Sequence, residues 1–248
     1  MRKITSVLLA TAMAFSLAAC GQAKDTNTEG TSSEKAKTVS IASLNGNKEE
    51  IKLEVPYDPQ RIAILDLAAL DIIDNLGKGD RVVGTANTSI EYLSEYSKKD
   101  SIKNLGTIKE ADLEAVMACE PDVIFIGGRL AASYDELSKI APVVFLSTDT
   151  EAGLVKSVTK NATTIASMFG LEDQVSTKTA AFQSRIEALQ TAAKGKTALV
   201  GMTTSGSFNL LGNDGRCSII GKEIGFENVG LDSIASTEGG SGSDSKGG

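Results

Sequence analysis

The chain has 248 residues, a formal net charge of −7 and no histidine. The lack of histidine removes Ser-His and Cys-His nucleophile pairs and imidazole metal ligands, and an acidic balance with dispersed Lys and Arg argues against a nucleic-acid partner, which needs clustered cations. Hydrophobic residues make up 41% of the chain, enough for packed cores, and the length admits one large domain or two small ones at about 100–200 residues each.

Arg2 and Lys3 precede an apolar stretch from Val7 to Ala19. This is the build of a signal peptide over 1–19 and is too short for a spanning helix. Cys20 directly follows Ala18 and Ala19, an arrangement that resembles a bacterial lipobox, in which the cysteine becomes the diacylglyceryl-modified first residue of the mature chain. Each buried methylene of an acyl chain contributes about 0.8 kcal/mol, so two chains hold the protein without a transmembrane helix. The expected location is the extracytoplasmic face of the cell membrane. Residues 20–37 are rich in Thr, Ser, Lys and Glu and cannot offset their ordering entropy by burial, so they read as a flexible tether. Cys119 and Cys217 are too far apart in sequence for pairing to be assumed. Cys119 reads as a small buried apolar residue on a helix.

Residues 38–149 form a first lobe. Thr38 to Ile41 and Glu50 to Val55 are strand-like and joined through Asn45-Gly46, which predicts a hairpin. Arg61 to Leu65 is a short apolar strand, and Leu67 to Leu76 has helical spacing with a glycine stop at Gly77. Arg81 to Thr85 is the next strand, followed by a polar helical stretch with Tyr92, Leu93 and Tyr96. Ala111 to Cys119 is a short amphipathic helix. The stretch EPDVIFIGGRLAASY follows: a buried strand from Asp122 to Ile126, then a Gly127-Gly128 turn that presents Arg129 at the mouth of the next helix, Tyr134 to Ile140. Pro142 to Leu146 is a further strand. This alternation predicts an α/β fold with a parallel sheet covered on both faces. In such sheets ligands bind beyond the carboxyl ends of the strands, where Arg129 falls. Neither G-x-G-x-x-G nor G-x-x-x-x-G-K-[ST] follows any of these strands, so no nucleotide site is supported.

Residues 150–194 read as two helical segments broken near Gly170, with core-facing stripes at Val155, Val158, Ala162, Ile165, Ala166 and Phe169, and at Val175, Phe182, Ile186 and Leu189. Residues 195–236 begin a second lobe: a strand from Ala198 to Met202, another from Ser207 to Gly212, and a helix from Ser218 to Gly225, with Arg216 just before the helix. Residues 237–248 are dominated by Gly and Ser, a linker composition with no means of building a core.

Four features together resemble the substrate-binding lipoproteins of ABC-type iron-siderophore importers, in particular the branch for catecholate and mixed catecholate-citrate (petrobactin-type) siderophores. They are the lipobox and the segments VPYDPQRIAILDLAALDIIDNLG, LGTIKEADLEAVMACEPDVIFIGGR and SYDELSKIAPVVFL, in register from about Glu50 to Ser236. The resemblance implies two Rossmann-like lobes joined by a helical connection, with the ligand in the cleft between them. It implies substrate contacts from Arg129 and Arg216 and permease docking through Glu114. By position, Tyr134, five residues after Arg129, is a further substrate-binding candidate for stacking or else a helix-packing residue, and Lys109, at the turn after Gly106-Thr107, is another. The resemblance implies no cofactor, catalytic residue or metal ligand, because the siderophore itself fills the coordination shell of iron. The implied partners are a ferric siderophore, ABC permease subunits and the membrane through the lipid anchor, for a monomeric receptor that is not an enzyme. Against the family pattern the second lobe breaks off after Thr237, so the chain reads as a C-terminally truncated fragment. Alternatives of other kinds are a cobalamin- or haem-binding lipoprotein, with haem disfavoured by the missing histidine, a lipid-anchored enzyme on a Rossmann-like scaffold, and an adhesion lipoprotein.

Overall fold

The computed structural model describes residues 37–149, 151–213 and 217–230. The expected signal peptide with Cys20, the expected tether up to residue 36, Arg216 and the Gly/Ser-rich tail lie outside the described residues.

The chain opens with the expected hairpin, β1 (Thr38–Leu44) against β2 (Glu50–Pro56), in antiparallel register from Thr38↔Pro56 to Leu44↔Glu50. Asn45 closes its turn: the side-chain oxygen accepts from the backbone N–H groups of Asn47 and Glu49, each at 2.9 Å. The hairpin buries Ile41 and Val55. It is tied to the main sheet by the Ser43 hydroxyl, which accepts from the Phe145 N–H at 3.0 Å.

The main sheet is parallel and five-stranded, in the order β5-β4-β3-β6-β7. Its strands are β3 (Ile62–Ile64), β4 (Val82–Thr85), β5 (Lys103–Asn104), β6 (Val123–Ile126) and β7 (Val143–Phe145). Every residue of β3, β6 and β7 is buried, as strands covered on both faces must be. Alternate residues serve opposite faces. Ile62, Ile64, Val123, Phe125 and Val144 join one apolar cluster, with Leu70 and Ile73 of α1 (Leu67–Asn75) and Ile165 of α5 (Leu154–Ser167). Ala63, Ile124, Ile126, Val143 and Phe145 join the other, with Val116 of α3 (Leu113–Ala118) and Leu137 of α4 (Tyr134–Ser138). Two details differ from expectation. The two-residue β5 has no apolar run and carries no strand signal in the sequence. Arg129 lies within a 3₁₀ turn, Gly128–Ser133, that precedes α4.

The break at Gly170 is real. Its backbone sits at φ +65°, a left-handed conformation that glycine adopts without steric cost. Beyond it α6 (Glu172–Ala193) runs for 22 residues, about 33 Å at 1.5 Å per residue. Val175 near its start belongs to the first-lobe cluster. Ile186 and Ala193 belong to a separate cluster with Ile224, Val155, Ile219, Ile220 and Phe226. Thus α6 passes from one core to the next, as does α5, which places Ile165 in the first cluster and Val155 against the second. The stripes assigned to these two helices are only partly buried: Val158, Phe182 and Leu189 are 43%, 44% and 45% exposed. Helical spacing reveals an apolar face but not whether another element covers it.

The second-lobe segment departs further from expectation. The predicted strand from Ala198 to Met202 is two strands: β8 (Thr197–Ala198), parallel to β11 (Glu227–Asn228), and β9 (Gly201–Thr204), antiparallel to β10 (Ser207–Leu210). The helix read from Ser218 to Gly225 is a π-type turn, Ile219–Glu223.

Ser43 gives a direct test of how the hairpin is held. Replacing it with Ala leaves the buried Phe145 N–H without its acceptor, so Ser43→Ala is expected to cost about 1–3 kcal/mol in chemical unfolding. Ser40→Ala, on the exposed side of the same strand, is expected to change stability by less than about 0.5 kcal/mol.

Candidate functional site at the carboxyl edge of the sheet

The order β5-β4-β3-β6-β7 reverses direction between β3 and β6. After β3 the chain turns one way through β4 and β5, and after β6 the other way through β7. The connections therefore diverge from this pair of strands and leave a crevice beyond their carboxyl ends, the preferred ligand position in open α/β sheets.

Asp66 forms one wall of the crevice. It follows β3 after Leu65 and caps α1, its side-chain Oδ1 accepting from Ala68 N–H at 3.2 Å. Gly127 follows β6 directly and lies against it: a β-carbon at Gly127 would come within 3.4 Å of Asp66 Oδ1. The ends of β3 and β6 thus lie within contact distance of each other at Gly127 and Asp66. Burial pushes the Asp66 carboxyl above its ordinary value, outweighing the opposing hydrogen bonds from the Ala68 and Ala69 N–H groups. Asp66 carries one signal in the sequence, its place immediately before an apolar helical run, which marks an N-cap and not a site residue.

Arg129 stands two residues beyond Gly127, exposed, its side chain making no hydrogen bond or ion pair to any described residue. Lys109 lies in the loop after β5, on the same edge of the sheet but across β4 and β3 from Arg129. It is exposed, in a turn where its N–H donates to the Thr107 hydroxyl at 3.2 Å. Tyr134, the first residue of α4, is positioned mainly by packing. Its Cβ lies 3.2 Å from where a side chain at Gly46 would begin, and it joins the partly buried residues around the second apolar cluster. Glu114 is exposed in the first turn of α3, where a carboxylate complements the positive end of the helix. The structure thus brings Arg129, Lys109 and Asp66 to one edge, gives Tyr134 to the hairpin contact and leaves Glu114 on a helix start. Among the described residues no group of three or more Cys, Asp or Glu is placed to hold a metal ion.

A sequence model of the periplasmic binding protein family matches residues 62–245, and the chain belongs to that family. It is 32% identical over 242 residues to the petrobactin-binding protein YclQ of Bacillus subtilis, an alignment that covers 96% of this chain and 74% of YclQ. It is also 27% identical to the ferric-anguibactin-binding protein FatB of Vibrio anguillarum, covering 73% of this chain and 58% of FatB. Among solved structures, YclQ superposes with a TM-score of 0.71 at 31% identity, covering 77% of this chain and 67% of that one. The catecholate-siderophore binding protein VctP of Vibrio cholerae superposes with a TM-score of 0.68 at 28% identity, with the same coverage of 77% and 67%. The α/β fold with a parallel sheet and covering helices expected from sequence is that of these proteins.

Asp66 carries a pH-dependent prediction. A carboxyl whose folded pKa is raised favours the protonated fold, so its contribution is present at low pH and lost as pH rises through the folded value. Asp66→Asn keeps a capping oxygen and removes the buried charge. It is therefore expected to be more stable than wild type at neutral pH, with the difference shrinking as pH falls and the wild-type carboxyl protonates. Unfolding midpoints measured from neutral pH down through the carboxylate range check this; a difference that grows on acidification contradicts it.

Proposed function

We propose that this chain captures an anionic ferric siderophore of the catecholate type at the carboxyl edge of its parallel sheet and delivers it to an ABC permease for iron uptake. The observation that carries the reading is Arg129: an exposed, unpaired guanidinium at the topological switch point, in a chain whose relatives are named for binding ferric siderophores. A ferric tris-catecholate is a compact trianion with flat aromatic faces. Guanidinium is always charged, donates in a fixed fork and stacks on such faces. Lys109 adds a second positive charge on the same edge, and Arg216 is assigned to the opposing lobe, so that both lobes together neutralise the anion and closure around it is favoured. Tyr134 borders the site and gives it shape through the hairpin contact.

The protein need not ligate iron, because the siderophore holds it, and the reading requires no catalytic group or resident cofactor. Glu114, exposed at the start of α3, suits docking to cationic side chains of the permease. Cys20 suits lipid attachment at the extracytoplasmic face, for a receptor working as a monomer.

The four tyrosines, in a chain without tryptophan, provide an intrinsic fluorescence signal. In a panel of ferric catecholate, ferric hydroxamate, cobalamin and haem, the ferric catecholate is expected to bind tightest. Arg129→Ala is expected to weaken it by about tenfold or more, the equivalent of one charge-assisted hydrogen bond. Preference for cobalamin or haem, or an Arg129→Ala variant that binds like wild type, would overturn the reading.

A further inference from the structure

A cavity of about 740 Å³ lies beside the Arg129 turn, bordered by Gly128, the carboxyl end of β7, the tip of the β1–β2 hairpin and one face of α5. Three lysines line it from two separate elements: Lys48 from the hairpin tip, Lys156 and Lys160 from α5. Lys156 and Lys160 are one helical turn apart and so share a face, where two like charges repel. Lys48 is presented from a left-handed backbone, φ +64°, held by the hydrogen bonds of the Asn45 turn, including its own N–H to Asn45 O at 2.9 Å.

The acidic residues of the lining do not neutralise this group. Glu50 reaches Lys160 at 3.9 Å, with both side chains mostly exposed, a geometry that contributes little. Asp149 Oδ1 accepts from the Glu151 and Ala152 N–H groups at 2.9 and 3.1 Å. Lys48 and Lys156 have no ion-pair partner among the described residues. Phe145 and Leu146 add apolar surface to the wall, and Ser157 and Asn161 add polar groups. Three lysines around one concavity, in a chain of net charge −7, fit a ligand with several carboxylates on a short carbon skeleton. The volume falls within the range of about 300–1,000 Å³ usual for small-molecule sites.

We propose that this concavity is a second anion site, taking a small polycarboxylate either as a free acid or as the carboxylate-bearing arm of a ligand held at Arg129. The second source rests on the siderophore reading; the first does not.

The test titrates tricarballylate, which carries three carboxylates and neither catechol nor iron, into the isotopically labelled chain and follows backbone amides by NMR. Saturable shifts are expected at Lys48, Gly128 and the Lys156–Asn161 turn of α5. The double variant Lys156→Gln/Lys160→Gln is expected to weaken binding by about tenfold or more, while Lys139→Gln, whose lysine pairs with Glu136 at 2.6 Å away from the cavity, is expected to leave it unchanged. A response that does not saturate, that spreads to Lys139 and other surface lysines, or that persists in the double variant would overturn the site.

Two ferric catecholates, with and without a carboxylate arm, identify the source. An arm that tightens binding to wild type but not to the double variant assigns the pocket to that arm. Equal affinities alongside saturable tricarballylate binding assign it to a free acid. Because tricarballylate tests the pocket alone, it separates failure of this proposal from failure of the siderophore reading.

Discussion

Burial of the central strands on both faces governs the rest of the structure. Ile62 to Ile64 and Val123 to Ile126 present no polar side chain to either side, and their alternate residues fill two independent apolar clusters. A strand buried in this way can meet solvent only at its ends, so any chemistry must be placed in the loops there. The parallel order forces every connection to cross a face, and the reversal of direction between β3 and β6 is the one place where adjacent connections part. Asp66, Gly127 and Arg129 occupy that place because they are among the first residues after each strand that are not buried. Their proximity follows from pairing in register, as when the Leu65 N–H continues the ladder to Phe125 O at 2.8 Å.

The electrostatics of this edge are divided. A partly buried carboxyl at Asp66, pushed upward by desolvation, shares this edge with an unpaired cation at Arg129, and the lysines of the neighbouring cavity extend the positive surface away from the crevice. A trianionic ligand would find cations at the rim and the Asp66 carboxyl in the wall. The same ligand would disfavour ionisation of Asp66 further, which couples binding to protonation there. None of this requires a protein ligand to iron, and it explains how a chain without histidine can serve iron uptake.

Much of the first lobe is legible in the residues. Pro121 and Gly127 bracket VIFI, Asp66 and Gly77 bracket the first helix, and Asn45-Gly46 marks the hairpin, each through local backbone chemistry that acts within a few residues. What sequence does not show is which surfaces meet. Tyr134 reads as a site residue from its distance to Arg129, yet the hairpin tip at Gly46 packs on it, a contact between segments about 90 residues apart. The lysine-lined cavity is hidden for the same reason, since Lys48 and Lys160 meet only after the hairpin docks on β7 and α5. Val158, Phe182 and Leu189 carry a helical apolar period but remain exposed, because periodicity encodes a face and not its partner. The second-lobe strands are short and polar-flanked, so the shift of pairing from β8 to β9 within six residues has no signature in composition. Arg216 and Cys20 were assigned through family resemblance, and their placement lies outside the described residues.

The central claim is that ligand sits over the reversal between β3 and β6. Paramagnetic broadening tests it most directly, by comparing NMR spectra of the chain saturated with a ferric catecholate against its diamagnetic gallium counterpart. The account predicts that iron selectively broadens the amides of Asp66 to Ala68, Gly127 to Leu130 and Gly106 to Lys109, which converge on that edge. Broadening centred instead on the amino ends of the strands, around Arg61 and Asp122, or on the outer surface of α6, would contradict it.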